Sequence, residues 1–457
     1  MNRPWIFLPV EVKAREFVAK MFFASIAANA GFGIIIGRNG MNISSTPFPR
    51  GIYFDKCLSS HKVAFHEHQV KTLGNLLVSF DEEGLLFRSE GEYLDRRTSK
   101  QSIDLSSVVF LWGNEQKRII SKRYKCDEKL EITGGPRVDI WKSTSAPLYQ
   151  AEVDQLLEEH GQFILVVSNW GFLYREKAAG LDPSQIYQDN PRSFIRSRFI
   201  KLISTLAEEF TNQTIIVRPH PSDLPDFWRS QRGKFAKNVK IIDEGSISPW
   251  IRAANLVIHN NCTTGIEAWV GKIPVIAYSP INQAGQEFHT YTMKINHLGV
   301  VCCREAEVID KVRASISAYQ AGISLRTNAN CENFLCIDRQ ELASQKILRR
   351  LKALDVKPDE YLLPRYGILK KLRASIETLK WKSRDLLGLS GLHTLQYRNQ
   401  KNPGMALSEI KETLSCLSQI TKIPAEFFDI TQIGKDTFCI AGPTDATVNT
   451  GHSPEGN

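Results

Sequence analysis

Short runs of consecutive apolar residues, each stopped by polar residues, glycine or proline, recur along this chain of 457 residues. "FILVV" (Phe163 to Val167), "TIIV" (Thr214 to Val217), "LVI" (Leu256 to Ile258) and "PVIAY" (Pro274 to Tyr278) are examples. A strand wet on one face alternates apolar and polar residues. An unbroken apolar run belongs to a strand covered on both faces, as in a parallel sheet flanked by helices. Longer mixed segments separate the runs, so the pattern is β-α-β repeated.

The repeat occurs twice. Trp5 to Pro9, "GFGIII" (Gly31 to Ile36), "NLLVSF" (Asn75 to Phe80), "SSVVFL" (Ser106 to Leu111) and "KLEI" (Lys129 to Ile132) read as strands of a first Rossmann-like domain over residues 1–145. "STSAPLYQAEV" (Ser143 to Val153) reads as a linker. A second Rossmann-like domain is expected over 155–355, with a long helix near Pro191 to Phe210. Hydrophobic residues make up 42% of the chain, enough to build two cores of ordinary size.

Beyond these domains, 356–440 reads as a basic helical extension. Pro364 to Arg384 holds seven basic residues and one acidic, with Leu369, Leu372, Ile376 and Leu379 at helical spacing. Such a helix suits either an acidic lipid surface, such as an inner-membrane face, or a core with a solvated basic side. Residues 441–457, rich in Gly, Pro, Thr and Ser, read as a disordered tail.

The net charge of +9 favours anionic partners. Nucleic acid is not among those expected, because no zinc finger, recognition helix or aromatic-basic strand pattern is present. No apolar stretch reaches the ~18–20 residues that span a bilayer. The N-terminus meets charge too early for a signal peptide. The nine cysteines include no C-x-x-C pair, so reduced thiols in a cytoplasmic protein without a metal site are expected.

Polar residues at the strand ends carry the chemistry. "IIVRPHPSD" (Ile215 to Asp223) sets Arg218 and His220 at a strand exit stiffened by prolines, where open α/β sheets bind ligands. "HNNCTTGIEAWVG" (His259 to Gly271) ends a strand in His259, Asn260 and Asn261, then starts a helix at Thr263, Thr264 and Gly265. Free N–H groups and the positive dipole end there suit a phosphate. Glu267 in the first turn suits ribose hydroxyls. Ser168 and Asn169 follow the strand "FILVV" and would line the same position. Arg218 and His220 are expected beside the Thr263–Thr264 helix end, as a phosphate clamp.

In the first half, "TGGPRVD" presents Arg137 and Asp139 after a rigid turn. "FDEEG" offers Asp81, Glu82 and Glu83, one of which could be the general base, with Glu83 preferred and a solvated acidic turn as the alternative. Lys13 and Arg15, or Arg137, are placed to meet a substrate carboxylate or an acidic acceptor; a surface ion pair is the other reading.

The strand-end motifs resemble the nucleotide-sugar half of GT-B glycosyltransferases, in which two Rossmann-like domains face each other across a cleft and no metal is needed. "LPVEVKAREFVAKMFFASIAANAGFGIIIGR", "FDEEGLL", "FLWGNEQK", "ITGGPRVD", "RPHPSD" and "HNNCTTGIEA", in that order over about residues 5 to 300, look like the bacterial surface carbohydrate biosynthesis family. That family is similar to retaining β-Kdo transferases of capsule and lipopolysaccharide, and more often shows Asn where this chain has Gly135. The resemblance implies CMP-Kdo as donor, a glycan or glycolipid as acceptor, no cofactor, and Asp139 as a nucleophile that carries the sugar covalently. Donors linked to UDP or GDP, CDP-glycerol-type polyol phosphate transfer, an epimerase of the same fold and a non-catalytic scaffold are the alternatives.

Overall fold

The computed structural model describes residues 1–38, 48–87, 89–187, 189–282, 293–320, 333–338, 340–361, 375–376, 379–380, 382–387, 399 and 401–443. In chain order the first domain contributes β1 (Trp5–Val10), α1 (Lys13–Asn29), β2 (Gly33–Arg38), β3 (Ile52–Asp55), β4 (Leu76–Phe80), β5 (Ser106–Leu111), β6 (Leu130–Ile132) and α2 (Pro136–Trp141). The second begins with α3 (Gln150–His160) and β7 (Phe163–Val167). It continues with α4 (Pro191–Glu209), β8 (Thr214–Arg218), β9 (Val239–Ile241), β10 (Leu256–His259), α5 (Thr263–Val270), β11 (Val275–Tyr278), β12 (Val300–Cys302) and α6 (Glu305–Gln320). The segment read as a linker is helical: a 3-10 run over Ser143–Tyr149 leads straight into α3.

The second sheet runs β9-β8-β7-β10-β11-β12, all parallel. Strand order reverses between β7 and β10, and the crevice at such a switch point is where these sheets bind ligands. In the first sheet β1 is flanked by β2 on one side and β3 on the other, and β4, β5 and β6 follow in parallel. Its switch point therefore lies between β1 and β3, so the chain leaving β1 at Glu11 to Arg15 enters the crevice. Every residue of β1 and of β7 is buried, as continuous apolar runs require.

The C-terminal part differs from the expected helical extension. α7 (Ala343–Lys352) and α8 (Leu407–Thr421) return to the first domain and pack on α1. The hairpin β13 (Asp429–Gly434) and β14 (Thr437–Ala441) then joins the first sheet, with β14 antiparallel to β2. The physical reason is an unpaired, apolar sheet edge. Ile34, Ile36, Phe438 and Ile440 are fully buried once β14 covers it. "FDITQIGKDTFCIAG" is a strand-turn-strand pattern with Asp436 in the left-handed region at the turn (φ 55°). Charge counting over the preceding basic segment masked it.

Leu369 and Leu372 of the basic segment lie outside the described residues. Ile376 and Leu379 are exposed at 51% and 61%, so this part of the segment is not packed into a core. The tail from 444 onward also lies outside the described residues. No described helix is long and apolar enough to cross a membrane.

Deleting residues 429–443 is expected to expose the β2 edge and lose the burial of Phe438 and Ile440. The stability loss should be roughly 3–6 kcal/mol from these two side chains. Thermal unfolding and light scattering of the truncated chain check this; a soluble chain with an unchanged midpoint would contradict it.

Candidate functional site

The carboxyl ends of both sheets open onto one cleft. It holds two adjoining cavities, of about 410 and 800 Å³. Arg15, Arg137, His220, Cys262 and Thr263 line both, and so mark their junction. The smaller cavity adds Glu82, Glu83, Asn169, Arg175, Arg192 and Asn261. The larger adds Lys13, Ser168, Arg218, Thr264 and Glu267, with Lys401 and Glu409 from the returning C-terminal segment.

The start of α5 is the anion-binding end. The amides of Thr263 and Thr264 in its first turn have no i−4 carbonyl within the helix, that of Gly265 donates to the Cys262 carbonyl at 2.9 Å, and both threonines stand there with side-chain hydroxyls. His259 lies beneath, fully buried, with Nδ1 accepting from the Cys262 amide at 3.3 Å. A Cβ on Gly265 would run into its imidazole, so glycine lets the helix sit on the ring. Burial lowers the His259 pKa to about 4, leaving it neutral. His259 and Gly265 thus support the helix start from below and line neither cavity. Asn260 is also buried and donates to the Tyr278 carbonyl at 2.8 Å, joining β10 to β11.

His220 does face the cleft. Its Nδ1 accepts from the Ser222 amide at 3.1 Å, which leaves Nε2 to carry the proton. Burial, then Arg15 and Arg192, lower its pKa to about 3, so it is a neutral donor. Its own amide donates to Asp223, whose carboxylate also accepts from Ser168 Oγ (2.9 Å) and Trp228 Nε1 (3.0 Å). Ser168 therefore braces the His220 turn.

Arg218 departs from the expected clamp. Its two terminal nitrogens donate to the carbonyls of Glu244 (2.6 Å) and Gly245 (2.9 Å), and the guanidinium lies 5.0 Å from the Trp250 ring. It tethers the loop after β9, which walls the larger cavity. Its terminal nitrogens are thus spent on backbone carbonyls, while its buried Nε has no hydrogen-bond partner.

Arg137 has the opposite character. It is 6% exposed, lines both cavities and rests 4.7 Å from the Trp141 ring. Its Nε has no hydrogen-bond partner, and no carboxylate among the described residues lies within ion-pair distance of it. Burial lowers its pKa, while Glu82 and Glu267 act to raise it. A buried guanidinium without a close counterion is suited to an anionic ligand.

Asp139 is placed elsewhere. It is 1% exposed and lines neither cavity. Its oxygens accept from the amides of Ala343 (2.9 Å) and Ser344 (2.8 Å), capping the start of α7. Each oxygen accepts one amide and neither borders a cavity, so in this structure Asp139 serves as a helix cap and not as a group facing the cleft. The preceding turn is set by packing: a Cβ on Gly135 would meet the Phe80 ring at 2.5 Å.

The acidic turn after β4 divides its labour. Asp81 is buried against Arg97. Glu83 lies between Arg15 Nη2 (3.1 Å) and Arg97 Nη1 (3.0 Å). Burial pushes its pKa up, but these two cations outweigh it and hold it low, which makes Glu83 a weak base. Glu82 is the better placed: its Oε2 is buried without a partner, and its closest cation, Lys20, is 3.7 Å away. Burial raises the pKa of Glu267 in the larger cavity. Lys13 is tied to the Gly404 carbonyl (2.5 Å) and Glu409 (2.7 Å), holding the C-terminal segment against the cleft.

Sequence reasoning missed Asn261, Arg175, Arg192 and the C-terminal wall. Asn261 adopts the left-handed conformation (φ 44°), which only a turn at this point would have signalled. Among the described residues no group of three or more His, Cys, Asp or Glu is arranged to hold a metal, and the described cysteines are free thiols.

No family model matches the chain, and no curated protein matches it in sequence. Solved structures do. A variant of the wall teichoic acid polymerase TagF aligns at 10% identity with a TM-score of 0.51, covering 77% of this chain and 88% of that one. A Listeria monocytogenes protein described as a UDP-N-acetylglucosamine 2-epimerase aligns at 11% identity and TM-score 0.51, covering 79% and 100%. The fold is GT-B. The UDP-GlcNAc 2-epimerase of Methanocaldococcus jannaschii also aligns, at 15% identity and TM-score 0.48, over 76% of this chain and 99% of that one.

Asp139→Ala is expected to leave the Ala343 and Ser344 amides uncapped and to lower stability by about 1–3 kcal/mol. Urea unfolding measures it. Loss of turnover with unchanged unfolding would return Asp139 to the chemistry.

Proposed function

We propose that this chain is a glycosyltransferase of surface polysaccharide synthesis, which moves a sugar from a nucleotide-linked donor to a glycan or glycolipid. The observation that carries this reading is the junction of the two cavities. There the start of α5, a neutral His220 and the unpaired Arg137 surround one point between the two switch points. A leaving nucleotide phosphate gathers negative charge as the glycosidic bond breaks. Fixed N–H donors and a buried guanidinium stabilise that charge without reorganising. The nucleoside lies in the larger cavity, bordered by the loop that Arg218 tethers, and its phosphate reaches the junction at the start of α5, within the wall that Asn261 and Thr263 form on the smaller cavity. The transferred sugar sits at the junction, and the acceptor enters the smaller cavity.

Glu82 takes the proton from the acceptor hydroxyl as that oxygen attacks the anomeric carbon. The bond to phosphate breaks and the nucleotide leaves with the electron pair. With Asp139 occupied as a helix cap, this direct route uses the carboxylate the cleft provides. CMP-Kdo is the donor favoured, because Arg137 and Arg15 offer cations for a sugar carboxylate beside the phosphate. No cofactor or metal enters the scheme.

The test incubates the chain with CMP-Kdo generated in place and, separately, with UDP-, GDP- and CDP-linked donors. Released nucleotide and intact-protein mass are followed. CMP release from CMP-Kdo alone supports the donor; release only from another donor moves the assignment to it. Glu82→Gln is expected to lower kcat about 10²–10⁴-fold with nucleotide affinity unchanged. A Kdo adduct on the protein would replace direct displacement with a covalent route.

An anionic inner-membrane surface is a second partner in this reading. Ile376, Leu379, Leu386 and Leu387 are exposed among Lys380, Lys382 and Arg384. Flotation with vesicles containing anionic lipid is expected, and is expected to be lost in the double variant Leu386→Asp, Leu387→Asp. Equal flotation of both proteins would remove the membrane from the reading.

A further inference from the structure

Asn261 is the residue that joins β10 to the start of α5, and it is fully buried. Its backbone is left-handed and fixed from both sides. The amide donates to Asn296 Oδ1 at 2.7 Å, and the carbonyl accepts from Asn169 Nδ2 at 3.1 Å. Arg192 in turn donates to the Asn169 carbonyl, so the clamp continues to the cavity wall.

The side chain is what the backbone does not explain. Glycine adopts this conformation without strain, and asparagine is the side chain that tolerates it best. Yet both carboxamide atoms, Oδ1 and Nδ2, are buried with no hydrogen-bond partner. An amide buried unpaired is expensive, and in a strained turn at a site it signals a role. His259, Asn260 and Asn296 also carry unpaired buried atoms, but Asn261 alone of these residues lines a cavity. It lies two residues before the helix start, in the wall shared with Arg192, His220 and Thr263.

We infer that Asn261 is a ligand-binding residue whose carboxamide donates to a phosphate oxygen of the bound nucleotide, beside the first-turn amides of α5. This deepens, and rests on, the reading of the cleft as a nucleotide-linked donor site. The turn that holds Asn261 left-handed then has a function. It places a neutral donor next to the helix dipole, where a cationic side chain would oppose the positive end of the helix.

Calorimetric titration with CMP, CDP and UDP tests this, alongside thermal unfolding. Asn261→Gly keeps the turn and removes the amide. Its affinity for the nucleotide that the wild type binds is expected to fall at least about tenfold, with the unfolding midpoint within about two degrees of wild type. Asn261→Asp keeps the shape and sets a carboxylate against the phosphate, and a larger loss is expected. If the glycine variant proves unstable, the aspartate variant decides. Wild-type affinity in either folded variant overturns the assignment to Asn261 alone. A wild-type protein that binds none of the three nucleotides overturns it together with the donor-site reading.

Discussion

A buried carboxylate holds the cleft together. Glu16 is 1% exposed and accepts the amides of Glu11 and Val12 at 2.9 and 3.2 Å, capping α1 from inside its own first turn. Lys20 (2.9 Å) and Lys56 (2.7 Å) meet the same carboxylate. Burial raises its pKa, but the two ammonium groups outweigh burial and keep it ionised. Lys56 follows β3 and also meets Glu11 at 3.0 Å, while Lys20 reaches the Pro9 carbonyl and approaches Glu82. The carboxyl ends of β1, β3 and β4 are thus tied to one helix start. Removing Glu16 takes the shared counterion from Lys20 and Lys56 at once, leaving each with a single carboxylate, Glu82 at 3.7 Å and Glu11 at 3.0 Å.

That constraint sets the first domain's side of the cleft. α1 begins where the switch point opens, so Arg15 is delivered to the junction of the cavities and Lys13 to the returning C-terminal segment. The second domain works by a different device. Its strand exits are held by hydrogen bonds: the Asp223 carboxylate gathers the His220 turn, Asn260 bridges β10 to β11, and the neutral His259 supports α5. One half is fixed by charge and the other by hydrogen bonds. The cleft then presents the Arg137 guanidinium and the N–H groups of the α5 start between them.

Much of this was legible from residue order, because unbroken apolar runs and their polar exits report a parallel sheet directly. His220 and the Thr263 helix start needed only local spacing. The partners of Arg218 and Asp139 were hidden for one shared reason. Each belongs to a motif whose position at a strand exit is local, while its partner is distant in sequence: the Glu244 carbonyl for one, the Ala343 and Ser344 amides for the other. Glu82 and Glu83 are adjacent and chemically alike. Only the two guanidinium groups brought to Glu83 by folding separate their roles. The hairpin at the C-terminal end was obscured because its strand partner, β2, lies at the other end of the chain.

That last pairing bears on how the protein is made. β2 ends at Arg38 and its neighbour β14 begins at Thr437, so the pair is separated by 437 − 38 = 399 positions. At ~5–20 residues per second, a ribosome takes roughly 20–80 s to supply the second strand. The second sheet, contiguous from Phe163 to Cys302, can close in that interval. During synthesis every strand of the later sheet is therefore available before the earlier sheet is complete, and the apolar edge of β2 stays open until β14 emerges.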